Sequence, residues 1–175
     1  MGTKRVGWAR IRSLINENTN QLKIRNNQVV AVSATTTLTA AQSGATIFWD
    51  ASTSNTLTLP AAATGLNFKI ILKDTVNTDD NARITVTAGD CFYGVPKLVS
   101  STDDVSDLQL VDYDTATGTP GSYDFIKFSP DANTTGGASG DVLYLTAVDA
   151  DAWHLETTLT TTGTNPGSAA IIAAS

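Results

Sequence analysis

The chain has 175 residues with 11 basic and 17 acidic side chains, a net charge of −6, one cysteine, one histidine and 41% hydrophobic content. That length is enough to bury a core in one domain plus an extension, and the hydrophobic content excludes a globally disordered chain. A lone cysteine excludes an intrachain disulfide framework and a cysteine-cluster zinc site, and a lone histidine excludes a metal centre with several imidazole ligands.

The charge is split along the chain. Residues 1–30 carry six basic side chains (Lys4, Arg5, Arg10, Arg12, Lys23, Arg25) against Glu17 alone, a local charge of +5. The other 145 residues carry five basic side chains against sixteen acidic ones, a charge of −11. This dipolar layout predicts docking on an oppositely charged surface rather than chemistry on a small substrate. No apolar run of signal-peptide length follows the basic start, no stretch is long enough to span a membrane, and position 6 is Val where a myristoylation signal needs Ser or Thr. The expectation is a soluble protein made in a cytoplasm, with no membrane partner.

Taken in chain order, Val6 to Leu22 has helical spacing. Trp8, Ile11, Ile15 and Leu22 share one face, with Asn18 at the remaining seam position. So short a seam does not hold alone in water. It forms against a partner, where three copies meet, or packed on its own domain as an amphipathic helix. Asn26-Asn27 is the stop before a strand at Gln28–Val32.

From there the period changes to two. Strands are expected at Thr35–Thr39, Thr46–Trp49, Asn55–Leu59, Asn67–Lys73, Arg83–Thr87 and Cys91–Val95. In Asn67–Lys73, Phe68, Ile70 and Leu72 share one face, and Ile71 predicts partial burial of the other. A polar segment follows Val95, then strands at Leu108–Tyr113 and Tyr123–Phe128 around the turn-rich Thr117–Gly121. Val142–Val148 and Ala152–Leu159 read as a hairpin around Asp149-Ala150-Asp151. The 28 threonines suit pleated surfaces, and Glu is nearly absent after the arm. The organisation predicted is a basic N-terminal arm (residues 1–30), an all-β sandwich or jelly-roll-like domain of about ten short strands (residues 31–159), and a low-charge tail (residues 160–175). No exact internal repeat is visible.

Catalytic groups are hard to find. His154 is flanked by Trp153 and Leu155 in a predicted strand, without a nucleophile-elbow motif, and Cys91 lies in an unrelated strand-like context. His154 therefore reads as structural. Gly136 to Gly140 lacks the Gly-Lys-Ser/Thr end of a phosphate loop and reads as a flexible connection. The paired aspartates (Asp79-Asp80, Asp103-Asp104 with Asp107, Asp112 with Asp114, Asp149 with Asp151) offer hard ligands suited to calcium, but the EF-hand spacing and its closing Glu are missing. They read more simply as a solvated acidic surface that deters edge-to-edge aggregation. Asp112 and Asp114 would share a strand face, whereas a glycosidase pair needs opposed placement. No enzyme activity and no cofactor are expected. Nucleic acid is disfavoured as a partner, because the acidic body is repelled by a polyanion. Trp49, Tyr93 and Tyr113 are candidates for a sugar platform, with burial in the core the competing expectation.

Several of these segments together resemble a known group. Thr35–Gly44 (TTTLTAAQSG), Ile47–Asp50 (IFWD), Asn55–Pro60 (NTLTLP), Gly65 and Phe68–Ile71 (FKII) look like a module of tailed-bacteriophage virion proteins, found in capsid decoration (cement) proteins and in some head or tail fibre proteins. Gly140–Leu145 (GDVLYL) followed by Trp153-His154-Leu155 resembles the same group's closing hairpin. The resemblance covers Thr35 to Leu159 and implies a virion-surface β-sandwich, often a homotrimer, bound to the major capsid protein on the outside of the shell. It brings no catalytic residues and does not extend over the arm. On the charge argument, Lys4, Arg5, Trp8, Arg10, Ile11, Arg12, Ile15, Lys23 and Arg25 are the expected contacts to capsid or neighbouring subunit, because Arg and Trp are enriched at interface hot spots. A fibre or host-surface glycan-binding module attached through the same arm is the alternative.

Overall fold

The computed structural model describes residues 7–16, 28–52, 54–76, 82–101, 106–108, 123–128, 135–162 and 172–173. The protein is all-β: the described residues form two sheets, a short α-helix over residues 8–16 and a single 3-10 turn at Ala40–Gln42. The strands are β1 (Val29–Val32), β2 (Thr36–Thr37), β3 (Thr46–Asp50), β4 (Thr56–Thr58), β5 (Asn67–Asp74), β6 (Arg83–Thr85) and β7 (Cys91–Gly94). They continue as β8 (Lys97–Ser100), β9 (Ser106–Leu108), β10 (Phe125–Lys127), β11 (Val142–Ala147), β12 (Ala152–Thr161) and β13 (Ile172–Ala173).

The large sheet has the order β1-β3-β5-β11-β12-β8-β9, with β7 also pairing β12, and the small sheet has the order β13-β10-β6-β4-β2. Successive strands from β1 to β6 alternate between the sheets. Within each sheet the three neighbours run parallel: β1, β3 and β5 in the large one, β2, β4 and β6 in the small one. Parallel neighbours need a crossover, and here the crossover is a strand of the other sheet, so each strand pair forms one coil stacked on the last. This half of the chain is wound rather than built from the hairpins of a jelly roll. The coils differ in length: Thr46 follows its register partner Val29 by 17 residues, and Lys69 follows Thr46 by 23. Such unequal spacing is why the winding leaves no visible sequence repeat.

The second half closes the body with antiparallel pairing. The β11–β12 hairpin forms at Asp149–Asp151 as the sequence predicts, and β11 lies antiparallel to β5. Strand β12 pairs β7 through its first half and β8 through its second. Gly94 makes this possible. Its φ of 146° suits glycine, and a Cβ there would collide with the Leu155 carbonyl oxygen. The Lys97–Ser100 segment, expected as a polar loop, is thus a strand, because Leu98 and Ser100 point inward and are buried. Strand β12 runs to Thr161, past residue 159, and Ile172–Ala173 pairs with β10, so the stretch read as a tail contributes to both sheets.

Alternation builds one core between the sheets. Ile47 and Trp49 of β3, Phe68, Ile70 and Leu72 of β5, and Leu143 and Leu145 of β11 face Leu57, Ile84 and Ile126 of the small sheet in a single buried cluster. Trp49 meets Phe128 with ring centroids 5.8 Å apart, and Phe68 meets Trp153 at the same separation. Tilted aromatic pairs of this kind add about 1 kcal/mol beyond area burial.

Candidate functional site

The helix over residues 8–16 starts at Gly7, whose carbonyl accepts the N–H groups of Arg10 (2.9 Å) and Ile11 (3.3 Å). Every residue of this helix is exposed. Trp8 is 73% exposed, Leu14 52% and Ile15 56%. The reading of a helix packed on its own domain is therefore corrected: its residues are exposed rather than covered by the described part of the body. At about 100° per residue, Trp8, Ile11, Leu14 and Ile15 form one apolar stripe, bordered on its two sides by Arg10 and Arg12. Among the predicted contacts, Trp8, Arg10, Ile11, Arg12 and Ile15 are brought together here. Leu14 joins them, missed because the heptad spacing drew attention to its neighbours. Lys4, Arg5, Lys23 and Arg25 lie outside the described residues. The strand expected at Gln28–Val32 is β1, at the edge of the large sheet.

A second exposed surface is the outer face of that sheet. Register places Ala31, Phe48, Ile71, Val142 and Thr158 in one row across β1, β3, β5, β11 and β12. The next row holds Val29, Thr46, Lys69, Tyr144 and Glu156. Val29, Phe48 and Tyr144 are exposed, Tyr144 by 47%. Its ring carries the Lys69 ammonium 5.6 Å from the centroid. Two grooves flank it, one of about 400 Å³ lined by Asp141, Glu156 and Thr158, the other of about 430 Å³ lined by Thr46, Asn67 and Thr146. The signal for this face was in the sequence: Ile47-Phe48-Trp49 and Ile70-Ile71-Leu72 are unbroken apolar triplets, which put one large side chain outward in each strand.

The aromatics proposed as a sugar platform fare differently. Trp49 is fully buried and belongs to the core, because it alternates with outward Phe48. Tyr93 is half-buried, its ring 5.1 Å from the His154 ring on the neighbouring strand. Tyr113 lies outside the described residues.

Cys91 is nearer to His154 than the sequence suggested, one diagonal step across the β7–β12 pair. Its thiol is nevertheless held above the usual range by burial, and further by the carboxylates of Asp151, Asp149 and Asp90. A thiol so placed gives up the thiolate that nucleophilic chemistry requires.

The Gly136–Gly140 segment is a packed turn rather than a loose connection. The N–H groups of Gly137 (3.1 Å) and Ala138 (3.0 Å) donate to Asp141 Oδ2, and Thr160 N–H donates to both carboxylate oxygens at 3.0 Å. Gly137 has φ 111°, and a Cβ on it would press on Val76 and Phe128 at 3.0–3.1 Å. The turn thus cradles an anion, but the anion is the chain's own carboxylate. Burial raises the Asp141 pKa above its ordinary value, against the pull of the hydrogen bonds from Thr160, Gly137 and Ala138. Asp50, on the outer face, is shifted the other way, lowered chiefly by the Ser52 hydroxyl that donates to it at 2.6 Å.

Asp79, Asp80, Asp103, Asp104, Asp112 and Asp114 lie outside the described residues. Asp149 accepts the Asp151 N–H at 3.2 Å, the local bond of an Asx turn. Among the described residues, no three His, Cys, Asp or Glu side chains converge to hold a metal ion, and no helix is long and apolar enough to cross a membrane. No protein-family model, curated protein or solved structure matches the chain.

Proposed function

We propose that this chain is a structural virion protein: a capsid decoration (cement) protein that binds the outer surface of a tailed-phage head, probes no substrate, and stabilises the shell as a homotrimer. The observation that carries the reading is the exposed helix over residues 8–16. Nine residues cannot hold a helix alone in water, and this one presents Trp8, Ile11, Leu14 and Ile15, all exposed, between Arg10 and Arg12. It is a surface made for contact, at the head of a +5 segment joined to a −11 body. The phage-like strand motifs of the body add to this reading, since their residues are those that build the two sheets.

A pressurised shell is strained where capsid subunits meet. A trimer seated over such a seam adds buried interface to each subunit, and three linked attachments make release slow. Deleting residues 1–27 and loading the truncated protein on expanded phage heads tests the reading. Occupancy should fall at least tenfold, whereas full occupancy would refute the role given to the N-terminal segment.

One observation favours the second reading, a fibre or host-surface glycan-binding module. Tyr144 stands half-exposed between two grooves lined by Thr and Asn side chains and the Glu156 carboxylate, with Lys69 near its ring, an arrangement suited to stacking a sugar and bonding its hydroxyls. Titrating the protein with host-surface oligosaccharides, and repeating this with Tyr144→Ala, distinguishes it: saturable binding lost in the variant supports this reading over the first.

A further inference from the structure

Two apolar surfaces of this chain are uncovered, and they match each other. The first is the helix stripe. The second is the row Ala31–Phe48–Ile71–Val142, which crosses β1, β3, β5 and β11 on the outer face of the large sheet. Three of those four strands run parallel, and parallel sheets are ordinarily covered on both faces, by helices above all. Here the inner face is sealed by the small sheet, while on the outer face Ala31 and Phe48 are exposed and Ile71 and Val142 half-buried.

The dimensions agree. A nine-residue helix is about 13.5 Å long at 1.5 Å per residue. The step from β1 to β11 spans three strand spacings, about 14 Å. Charge agrees at the level of whole segments, a +5 arm against a −11 body, although Asp50 and Glu156 share the borders of the row with Lys73 and Lys69. Asp50 already has Lys73 Nζ at 3.7 Å, but that ammonium is closer to Asp74, at 3.3 Å, and can stay paired there when a guanidinium arrives. The Asp50 carboxyl is the more acidic for its bonds to Ser52, and so stays charged for an incoming guanidinium.

Within one chain neither surface covers the other, since the helix and Phe48 are both exposed. The eleven residues between the helix and Gln28 extend to about 40 Å at most, which is enough to carry a helix onto an adjacent copy. We propose that the helix over residues 8–16 of one copy lies across β1, β3, β5 and β11 on the outer face of a second copy's large sheet, with Trp8, Ile11 and Ile15 seated on Phe48, Ile71 and Val142. This rests on the homo-oligomer in the reading above and assigns its contact: the helix joins copy to copy. The sheet face so covered is then closed to sugars.

Paired cysteines test the contact. In a Cys91→Ser background, one full-length chain carries Ile11→Cys and a second, differently tagged, carries Ile71→Cys. Mixed under mild oxidation, they should yield a disulfide-linked dimer containing one of each as the main product. Adding Phe48→Asp to the Ile71→Cys chain should cut that yield at least tenfold, with circular dichroism unchanged. Three results would overturn the proposal: no mixed dimer, Ile11→Cys chains linked to each other as the main product, or linkage within a single chain when both cysteines sit on one copy at high dilution. Loading on phage heads is scored separately. Mixed dimers from a protein that never loads would sink the decoration reading and leave the contact standing, and full loading without mixed dimers would do the reverse.

Discussion

The outer faces of the two sheets come from the same wound coils, yet they are chemically unlike. On the small sheet the outward rows are Thr37, Thr58, Thr85 and Phe125, then Thr56, Arg83 and Lys127. Thr85 donates to Thr58 at 3.1 Å, and the Arg83 guanidinium lies 5.6 Å from the Phe125 ring centre, so the one aromatic has a charged cover. This is a solvated face of paired hydroxyls. On the large sheet one row, Ala31, Phe48, Ile71 and Val142, is apolar up to Thr158, and the next mixes Val29 and Tyr144 with Thr46, Lys69 and Glu156. The winding does not require an apolar row outside, because on the small sheet Phe125 stands among threonines and charged side chains. An apolar row on one face is what the proposed copy-to-copy contact would bury.

The widest contrast lies within β3, where neighbours point opposite ways. Trp49→Ala should cost about 4 kcal/mol of unfolding free energy through the cavity left beside Phe128, measured by denaturant unfolding. A loss below about 1 kcal/mol would mean that the inner face is not the packed one.

Next in size is Asp141→Ala, which strips the acceptor from the Gly137, Ala138 and Thr160 N–H groups and should cost about 3 kcal/mol. Its pH behaviour separates interior from surface. The folded-state pKa of Asp141 is raised, so its contribution is full below the unfolded value near ~3.9 and is lost as pH rises through the folded value. Asp50 is lowered, so its contribution is present above the unfolded value and lost as pH falls through the folded one. Carbon NMR titration of the two carboxyls should therefore find Asp141 above the ordinary aspartate range and Asp50 below it; the same midpoint for both would contradict the burial assigned to Asp141.

The smallest effect belongs to the small sheet. Thr58→Val should change stability by no more than about 0.5 kcal/mol and leave the oligomeric state untouched. A change in mass on that substitution would move the contact surface to the wrong sheet.

Much of the strand pattern was legible in the residues. Period-two alternation placed β3, β5, β11 and β12 within a residue or two, because each has one fully buried face. The hairpin at Asp149–Asp151 was legible from its turn residues. Pairing was not: which strand sits beside which depends on the crossover between sheets, and alternation is the same for parallel and antiparallel neighbours. Lys97–Ser100 was missed because Leu98 is its only large buried side chain, and Ile172–Ala173 because two residues carry no period. At the candidate site the arm's apolar spacing revealed the helix. The sheet face was legible only in part: the apolar triplets put one large side chain outward in β3 and β5, but that Phe48, Ile71 and Val142 form one row needed the register.

Light scattering on the eluting full-length protein at micromolar concentration, beside the Phe48→Asp variant, tests the central claim most directly. The account predicts a homo-oligomer for the unaltered chain and a monomer for Phe48→Asp, with the unfolding midpoint of the variant retained. Equal masses for the two proteins, whether both monomeric or both oligomeric, would contradict it.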